Sequence, residues 1–305
     1  MAVQILLATR NGMRFLPAQL DSIAAQTWPE IDLLVADDGS TDGSWDYLAA
    51  RCAGWTRGRA RLIQGPRAGN ACANFRHLIV NADPAAPYTA FADQDDIWLP
   101  GKLEDAIAAV DAAGPGAALF CARTALIDES GARIGFAPLF RRRPDFRNAL
   151  VQSLGGGNTM LMNSAAFAAL RESSIRTAYP AHDWWAYIIV SGAGGRMLYS
   201  GTPDVLYRQH GANAIGSNQG WRARWTRFRQ LRQGRFRRWA EENIAALDAC
   251  RDLLTPGACT VLDRFAAARS GSPLGRVLRL ARSGVYRQTA PSQAMLYLAA
   301  AFGWL

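Results

Sequence analysis

The chain lacks the marks of several common protein classes. Its five cysteines, Cys52, Cys72, Cys121, Cys250 and Cys259, show no CxxC spacing. An odd, scattered set argues against both a disulfide framework and a structural zinc site, so they are expected to be small core residues. No apolar run is long enough to cross a bilayer, the final AMLYLAAAFGWL included. The opening MAVQILLATRNG has no basic start, long apolar centre or small-residue cleavage site. It reads as a strand running into a polar turn, and the expected location is the cytoplasm. No complete GxGxxG follows this strand and no GxSxG elbow occurs, which argues against a dehydrogenase and a serine hydrolase. An early Gly-rich loop bearing Arg and Lys is absent too, as are repeats at solenoid spacing.

What is present is a chain of 305 residues, 50% hydrophobic and 19% charged, enough for one α/β core or a core with an appendage. The formal charge of +9 is unevenly spread. Residues 221–239, WRARWTRFRQLRQGRFRRW, carry eight arginines and no acid. At helical spacing Trp221, Trp225, Phe228, Phe236 and Trp239 share one stripe flanked by arginines. Two readings stand side by side: peripheral contact with an anionic membrane or a lipid carrier's phosphate, or a helix packed on the rest of the protein. A non-enzymatic nucleic-acid-binding protein would also explain the arginines. It would leave the acidic strand ends described below unexplained, and these would repel a polyanion, so no nucleic acid is expected as partner.

The first third alternates strand and helix patterns: VQILLAT, FLPAQLDSIAAQ, IDLLVADDGS, a helix started by Thr41 or Asp42, ARLIQGP, ACANFRHLIVNA and PYTAFADQDD. This is the signature of a doubly wound, mostly parallel α/β sheet, in which ligands bind beyond the carboxyl ends of the strands. KLEDAIAAVDAAG follows as a helix, GAALFCARTALID as a buried strand, and HDWWAYIIVSGAG as a further helix. From about residue 216 strand signals vanish. The expected division is an α/β domain over 1–215, with ligand binding at its strand ends, and a basic, helical extension over 216–305.

Two acidic clusters carry the chemistry. Asp93-Gln94-Asp95-Asp96 places three carboxylates in four positions directly after an apolar strand. Like charges so close need open water or a cation, and Mn2+ or Mg2+ favours such oxygen ligands. Asp37-Asp38-Gly39-Ser40-Thr41-Asp42 closes another strand, where a carboxylate can meet a ribose hydroxyl or a base N–H. By itself this second cluster is equally good turn and helix-cap chemistry.

At these clusters the sequence resembles glycosyltransferase family 2, inverting enzymes of the GT-A fold. Thr9-Arg10-Asn11-Gly12 is similar to the family's first strand end, Asp37 to Asp42 to its nucleotide motif, and Asp93-Gln94-Asp95 to its metal-binding Asp-x-Asp. Gly155-Gly156-Gly157-Asn158-Thr159-Met160 resembles its acceptor-side loop and His182-Asp183-Trp184-Trp185 the site of its base. Tyr207-Arg208-Gln209-His210-Gly211-Ala212-Asn213 resembles the closing motif of bacterial rhamnosyltransferase-like members.

The resemblance implies a nucleotide site at Ala8, Thr9, Arg10, Asp38 and Asp93, metal ligation by Asp95, and Asp183 as general base. The family often has Glu-Asp where this chain has His182-Asp183, which leaves His182 without an assigned role beyond the acceptor side. His210, in a polar loop after a strand, is expected near the metal or diphosphate. His77 reads as an ordinary helix residue. Trp184 or Trp185 could form a platform for a sugar ring or anchor a helix, and Gly156, Gly157 and Asn158 could let a ligand approach the backbone. The implied donor is a nucleotide diphosphate sugar, dTDP-L-rhamnose first and a UDP-sugar second. The implied acceptor is a saccharide or lipid-linked glycan of a surface polysaccharide.

Overall fold

The structure, a computed structural model, describes residues 1–210 and 234–305. The expected boundary at 216 and most of the basic stripe lie outside the described residues.

Strands β1 (Val3–Thr9), β2 (Ile31–Asp37), β3 (Ala60–Gln64) and β4 (Tyr88–Ala92) alternate with helices α1 (Leu16–Ala24), α2 (Ser44–Ala53) and α3 (Ala71–Asn81). Next come β5 (Ile97–Trp98), α4 (Lys102–Ala112), β6 (Ala118–Ile127), β7 (Arg133–Phe136) and α5 (Phe146–Ala149). Then follow β8 (Leu161–Asn163), α6 (Ser164–Arg176), α7 (His182–Gly192) and the long β9 (Arg196–Arg208). Residues 234–305 form α8 (Arg235–Ala249), α9 (Pro256–Ala267), α10 (Pro273–Ser283) and α11 (Ala290–Phe302).

The sheet runs β3-β2-β1-β4-β8-β6-β9-β5, with β7 beside β6. β1 to β4 are mutually parallel, as is the β6–β9 pair. β8 is antiparallel to both neighbours, β4 and β6, and joins the two parallel halves into one mixed sheet. Successive crossovers build outward from β1 through β2 to β3, and the chain then returns to place β4 on the other side of β1. That reversal opens a crevice at the carboxyl ends of β1 and β4, where α/β sheets bind ligands.

Side-chain alternation divides the core between the two sheet faces. Leu6 and Ala8 of β1 join Phe75, Leu78 and Trp185 on one face, while Val3, Ile5 and Leu7 join Leu16, Leu20 and Leu103 on the other. Burial on both faces makes β1 a continuous apolar run. A one-residue slip would misplace every such side chain, each worth about 1.5–3 kcal/mol when buried. The C-terminal helices share the first core through Leu247, Cys250, Leu262, Phe265, Leu280 and Leu296. All five cysteines are free, and Cys121 and Cys250 are buried.

One helix start differs from expectation. α2 begins at Ser44 with Gly43, at φ 90°, as its N-cap. Asp42 stands before it and uses Oδ1 to accept from both the Ser44 N–H and hydroxyl, while its Oδ2 accepts from the Met13 N–H. The acidic side chain therefore ties the helix start to the loop after β1.

Candidate active site

The carboxyl ends of β1 and β4 are locked together by Gln94. Its Oε1 accepts from the Thr9 hydroxyl at 2.7 Å and the Arg10 N–H at 2.8 Å, and its Nε2 donates to the Arg10 carbonyl at 3.1 Å. A Cβ at position 12 would lie 2.4 Å from Gln94 Oε1, so Gly12 makes room for this bracket. Asn74, on α3, donates to the carbonyls of Thr9 and Ala36 and so joins the ends of β1 and β2. Asn11 holds αL backbone at φ 50° and accepts from the Thr41 N–H through its side chain.

The two aspartates that close β2 have separate duties. Asp37 folds the turn by accepting from the N–H groups of Gly39 and Ser40 and the Ser40 hydroxyl. Asp38 accepts from the N–H groups of Ala68 at 3.1 Å and Gly69 at 2.7 Å. It thereby draws residues 67–70 against the cleft, where it also contributes to the wall.

Beyond these ends opens a cleft of about 850 Å³. Ala8, Thr9, Arg10, Asp38, Asp93, Asp95, Gly156, Gly157, Asn158, His182 and Asp183 all line it. Residues up to 175 positions apart in sequence thus meet at one surface. His77 lies elsewhere on α3, beside Asn81. A smaller cleft at the amino ends of the strands holds Asp32, Arg59 and Asp83, whose charges already pair with one another.

The acidic loop is held from behind by the end of β9. Arg208, 5% exposed, donates from Nε to the Asp95 carbonyl and from its backbone N–H to Asp96 Oδ1. Its guanidinium also reaches the carbonyls of Asp128 and Glu129 and lies 4.7 Å from the Phe15 ring centre. Asp96 is fully buried and accepts from the Asn158 amide. Burial raises its pKa, as does the adjacent Asp95, against the hydrogen bonds from Asn158 and Arg208. Asp93 is raised well above the carboxylate range by burial and then by Asp96, Asp95 and Asp183. His210 Nε2 lies 2.7 Å from Asp95 Oδ2 and its ring stacks on Phe15.

Asp183 sits in the first turn of α7, where N–H groups point outward and favour a carboxylate. Its Oδ1 accepts from the Trp184 N–H at 2.7 Å. Burial nevertheless pushes its pKa up to about 6, against the backbone hydrogen bonds of Trp184, Asp183 and Gly157. His182 stacks on Phe75 with ring centres 3.7 Å apart, and burial pushes its pKa down to about 3, so it is neutral. A Cβ at position 157 would meet His182 Nε2 at 2.5 Å. Gly157 therefore admits the imidazole, a neighbour in the fold, at the position where the glycines suggested close approach by a ligand.

The tryptophan expectation needs correction. Trp185 is fully buried, donates to the Ser173 hydroxyl and stacks on Tyr179. With no exposed face it cannot carry a sugar and is a core residue. Trp184 is 6% exposed, donates to the Ala149 carbonyl and backs Phe236 and Trp239 of α8. The tryptophan that does line the cleft is Trp239, with the Arg235 guanidinium 4.4 Å from its centre; Phe140, Tyr199 and Tyr207 line it as well. At its described end, the basic stripe packs on the α/β core.

Comparison with known proteins decides the family. The sequence model described as "Glycosyl transferase family 2" matches residues 4–176. The chain belongs to glycosyl transferase family 2. It is 26% identical over 245 residues to the dTDP-rhamnosyl transferase RfbG of Shigella flexneri, covering 76% of this chain and 81% of that protein. A shorter match, 28% over 102 residues, is to the Escherichia coli UDP-Glc:alpha-D-GlcNAc-diphosphoundecaprenol beta-1,3-glucosyltransferase WfgD, covering 33% of this chain and 38% of that one. S. aureus TarS 1-349 in complex with UDP superimposes with a TM-score of 0.57 at 13% identity, covering 100% of this chain and 89% of that one. The full TarS structure is longer, and this chain spans 37% of it. The mannosyltransferase PcManGT of Pyrobaculum calidifontis, in complex with GDP-Man and Mn2+, gives 0.52 at 18% identity, covering 99% of this chain and 80% of that one. These structural likenesses establish the GT-A fold of the transferase.

Whether the transferase can hold a divalent cation is a question of donors. Among the described residues no group of three or more His, Cys, Asp or Glu side chains converges as a metal cage. Asp95 and His210 do converge, with Asp93 on the same cleft. That set fits an ion that takes one or two protein ligands and completes its shell with phosphate oxygens and water.

Sequence reasoning gave no individual role in the site to Gln94, Asn74, Arg208 or Trp239, although Arg208 fell in the closing motif and Trp239 in the aromatic stripe. Gln94 lies inside the acidic motif, and its amide, between two carboxylates, was the one available clue. Asn74 and Arg208 act through backbone atoms far away in sequence, so no local spacing marks them.

Proposed function

We propose that this transferase is an inverting, metal-dependent enzyme of surface polysaccharide assembly. The donor proposed first is dTDP-L-rhamnose, and the acceptor is a saccharide, lipid-linked at the inner face of the membrane. The observation that carries the reading is that Asp183 faces the same cleft as Asp93 and Asp95. Asp183 takes the proton of the acceptor hydroxyl as that oxygen bonds to the anomeric carbon. The bond from this carbon to the diphosphate breaks, and the electron pair leaves with the diphosphate. One displacement with one base inverts the anomeric centre. Asp38 and Arg10 would bind the nucleoside end, and Asp93 the ribose. Mn2+ or Mg2+ on Asp95 and His210 would supply Lewis-acid stabilisation of the departing charge.

The rhamnosyltransferase relative supports the thymidine donor, and the UDP-bound neighbour supports a UDP-sugar as the alternative. Four carboxylates in the cleft disfavour a nucleic acid there. Thermal shift with UDP, dTDP, GDP and CMP, each with and without Mn2+, separates the readings because a ligand at 100 times its Kd adds about 2.7 kcal/mol. The expected result is stabilisation by dTDP only with Mn2+. The same response to UDP instead would move the donor to a UDP-sugar, and silence from all four would return the reading to a binding protein.

On the acceptor side, Trp239 lines the cleft and packs against the buried Trp184. Trp239→Ala should raise the KM for acceptor about tenfold, by loss of ring stacking, while leaving dTDP binding unchanged. Initial rates at saturating donor measure the effect, and an unaltered acceptor KM would remove Trp239 from the acceptor site.

A further inference from the structure

Each of the last two helices exposes large apolar side chains. α10 exposes Leu274 and Leu278 at 70% and 48%, and α11 exposes Leu298 and Phe302 at 48% and 62%. Within each helix the two residues are four apart and so share a face. The pairs lie at the same end of the hairpin, because Arg276 of α10 donates to the carbonyls of Ala300 and Ala301 at 2.6 Å. Phe302 extends the apolar surface by stacking on Trp304. Single exposed leucines are ordinary on protein surfaces, but a cluster of large apolar side chains marks a contact.

Charge identifies the occupant. Residues 264–305 contain six arginines and no aspartate or glutamate. Arg264 and Arg282 are exposed. Arg276 and Arg279 donate to backbone carbonyls, which leaves their charge uncompensated. A second copy of the chain would set cation against cation, and a polyanion would leave the leucines in water. An anionic bilayer meets both needs, with an apolar interior below and phosphates at the level of the guanidinium groups.

We propose that the α10–α11 hairpin docks the transferase on an anionic phospholipid surface, Leu274, Leu278, Leu298 and Phe302 entering the acyl boundary. The contact is peripheral, since no helix among the described residues is long and apolar enough to cross a membrane. The proposal stands independently of donor or acceptor identity.

Vesicle flotation of the full chain tests it, with vesicles of phosphatidylcholine alone and of phosphatidylcholine mixed with phosphatidylglycerol. The wild type should float with the mixed vesicles only, and less as salt is raised. The Leu274→Gln/Leu278→Gln/Phe302→Gln variant should lose at least about tenfold in vesicle affinity and keep its melting temperature, because the replaced side chains already face solvent. Arg264→Gln/Arg282→Gln should weaken binding severalfold without touching the apolar face. Unchanged flotation of either variant overturns the proposal. A wild-type dimer by sedimentation velocity that the apolar variant converts to monomer also overturns it, since the face would then be a subunit interface.

Discussion

Asp183→Asn should lower transfer by about 10²–10⁴-fold, the usual contribution of a general base, and leave nucleotide binding intact. Asparagine keeps the shape and the acceptor oxygen toward the Trp184 N–H but cannot take a proton. The pH dependence follows from the same burial. With a pKa near 6, the wild-type rate should rise with pH through that value, because only the ionised carboxylate accepts the proton. A limb centred near 4 would mean that the carboxylate is solvated in solution and lacks the tuning inferred for it.

Stability should move in the opposite direction. The folded pKa of Asp183 lies above the ordinary 3.8, so the native state favours the protonated form. The associated stabilisation is complete below about 3.8 and lost as pH rises through about 6. At neutral pH the buried charge costs on the order of 1–3 kcal/mol, which the amide avoids. Asp183→Asn is therefore expected to melt higher than wild type at neutral pH while being nearly inactive. A structural residue would lose stability and activity together, so paired melting curves and initial rates separate the two roles.

Asp95→Ala should abolish the metal-dependent part of donor binding and lower transfer on the order of 10²-fold or more. With Asp95 gone, His210 is the sole member left of the converging pair, and one imidazole does not replace a carboxylate for Mg2+ or Mn2+. Titrating Mn2+ into the variant with dTDP present should give no added thermal shift. The backbone carbonyl of Asp95 still accepts from Arg208 in the variant, so the loop should keep its course and the fold its melting temperature. A wild-type Mn2+ titration in Asp95→Ala would sink the metal assignment.

Much of the architecture was legible because it follows from local periodicity. Apolar runs such as VQILLAT and IDLLVAD could be read as strands of a parallel sheet, and acidic residues at their ends pointed to ligand binding beyond the carboxyl ends. The position of Asp183 came from resemblance to the family, through a motif of adjacent residues. The Asp95–His210 contact joins positions 115 apart. No spacing rule predicts that Nε2 meets Oδ2, because their approach depends on the register of β9 against β5 and β6.

The tryptophans show the limit most clearly. Trp184 and Trp185 stand beside the proposed base in sequence, yet α7 turns Trp185 into the core and places Trp184 behind a different ring. Helical rotation of about 100° per residue separates neighbours in sequence into different environments, so adjacency to Asp183 said nothing about facing the cleft. Trp239 reaches the cleft from 56 positions further along the chain. The antiparallel β8, three residues long, was equally hidden, since its partners β4 and β6 determine it more than its own composition.

The sequence by itself determined the α/β class, the acidic strand ends and the family, because these rest on hydrophobic period, turn chemistry and motifs of adjacent residues. Only the tertiary structure decided which carboxylates face the cleft and which hold backbone, which tryptophan lines it, and which apolar side chains the described helices expose. Those outcomes depend on contacts between distant segments, and burial, hydrogen bonding and pKa belong to the packed whole.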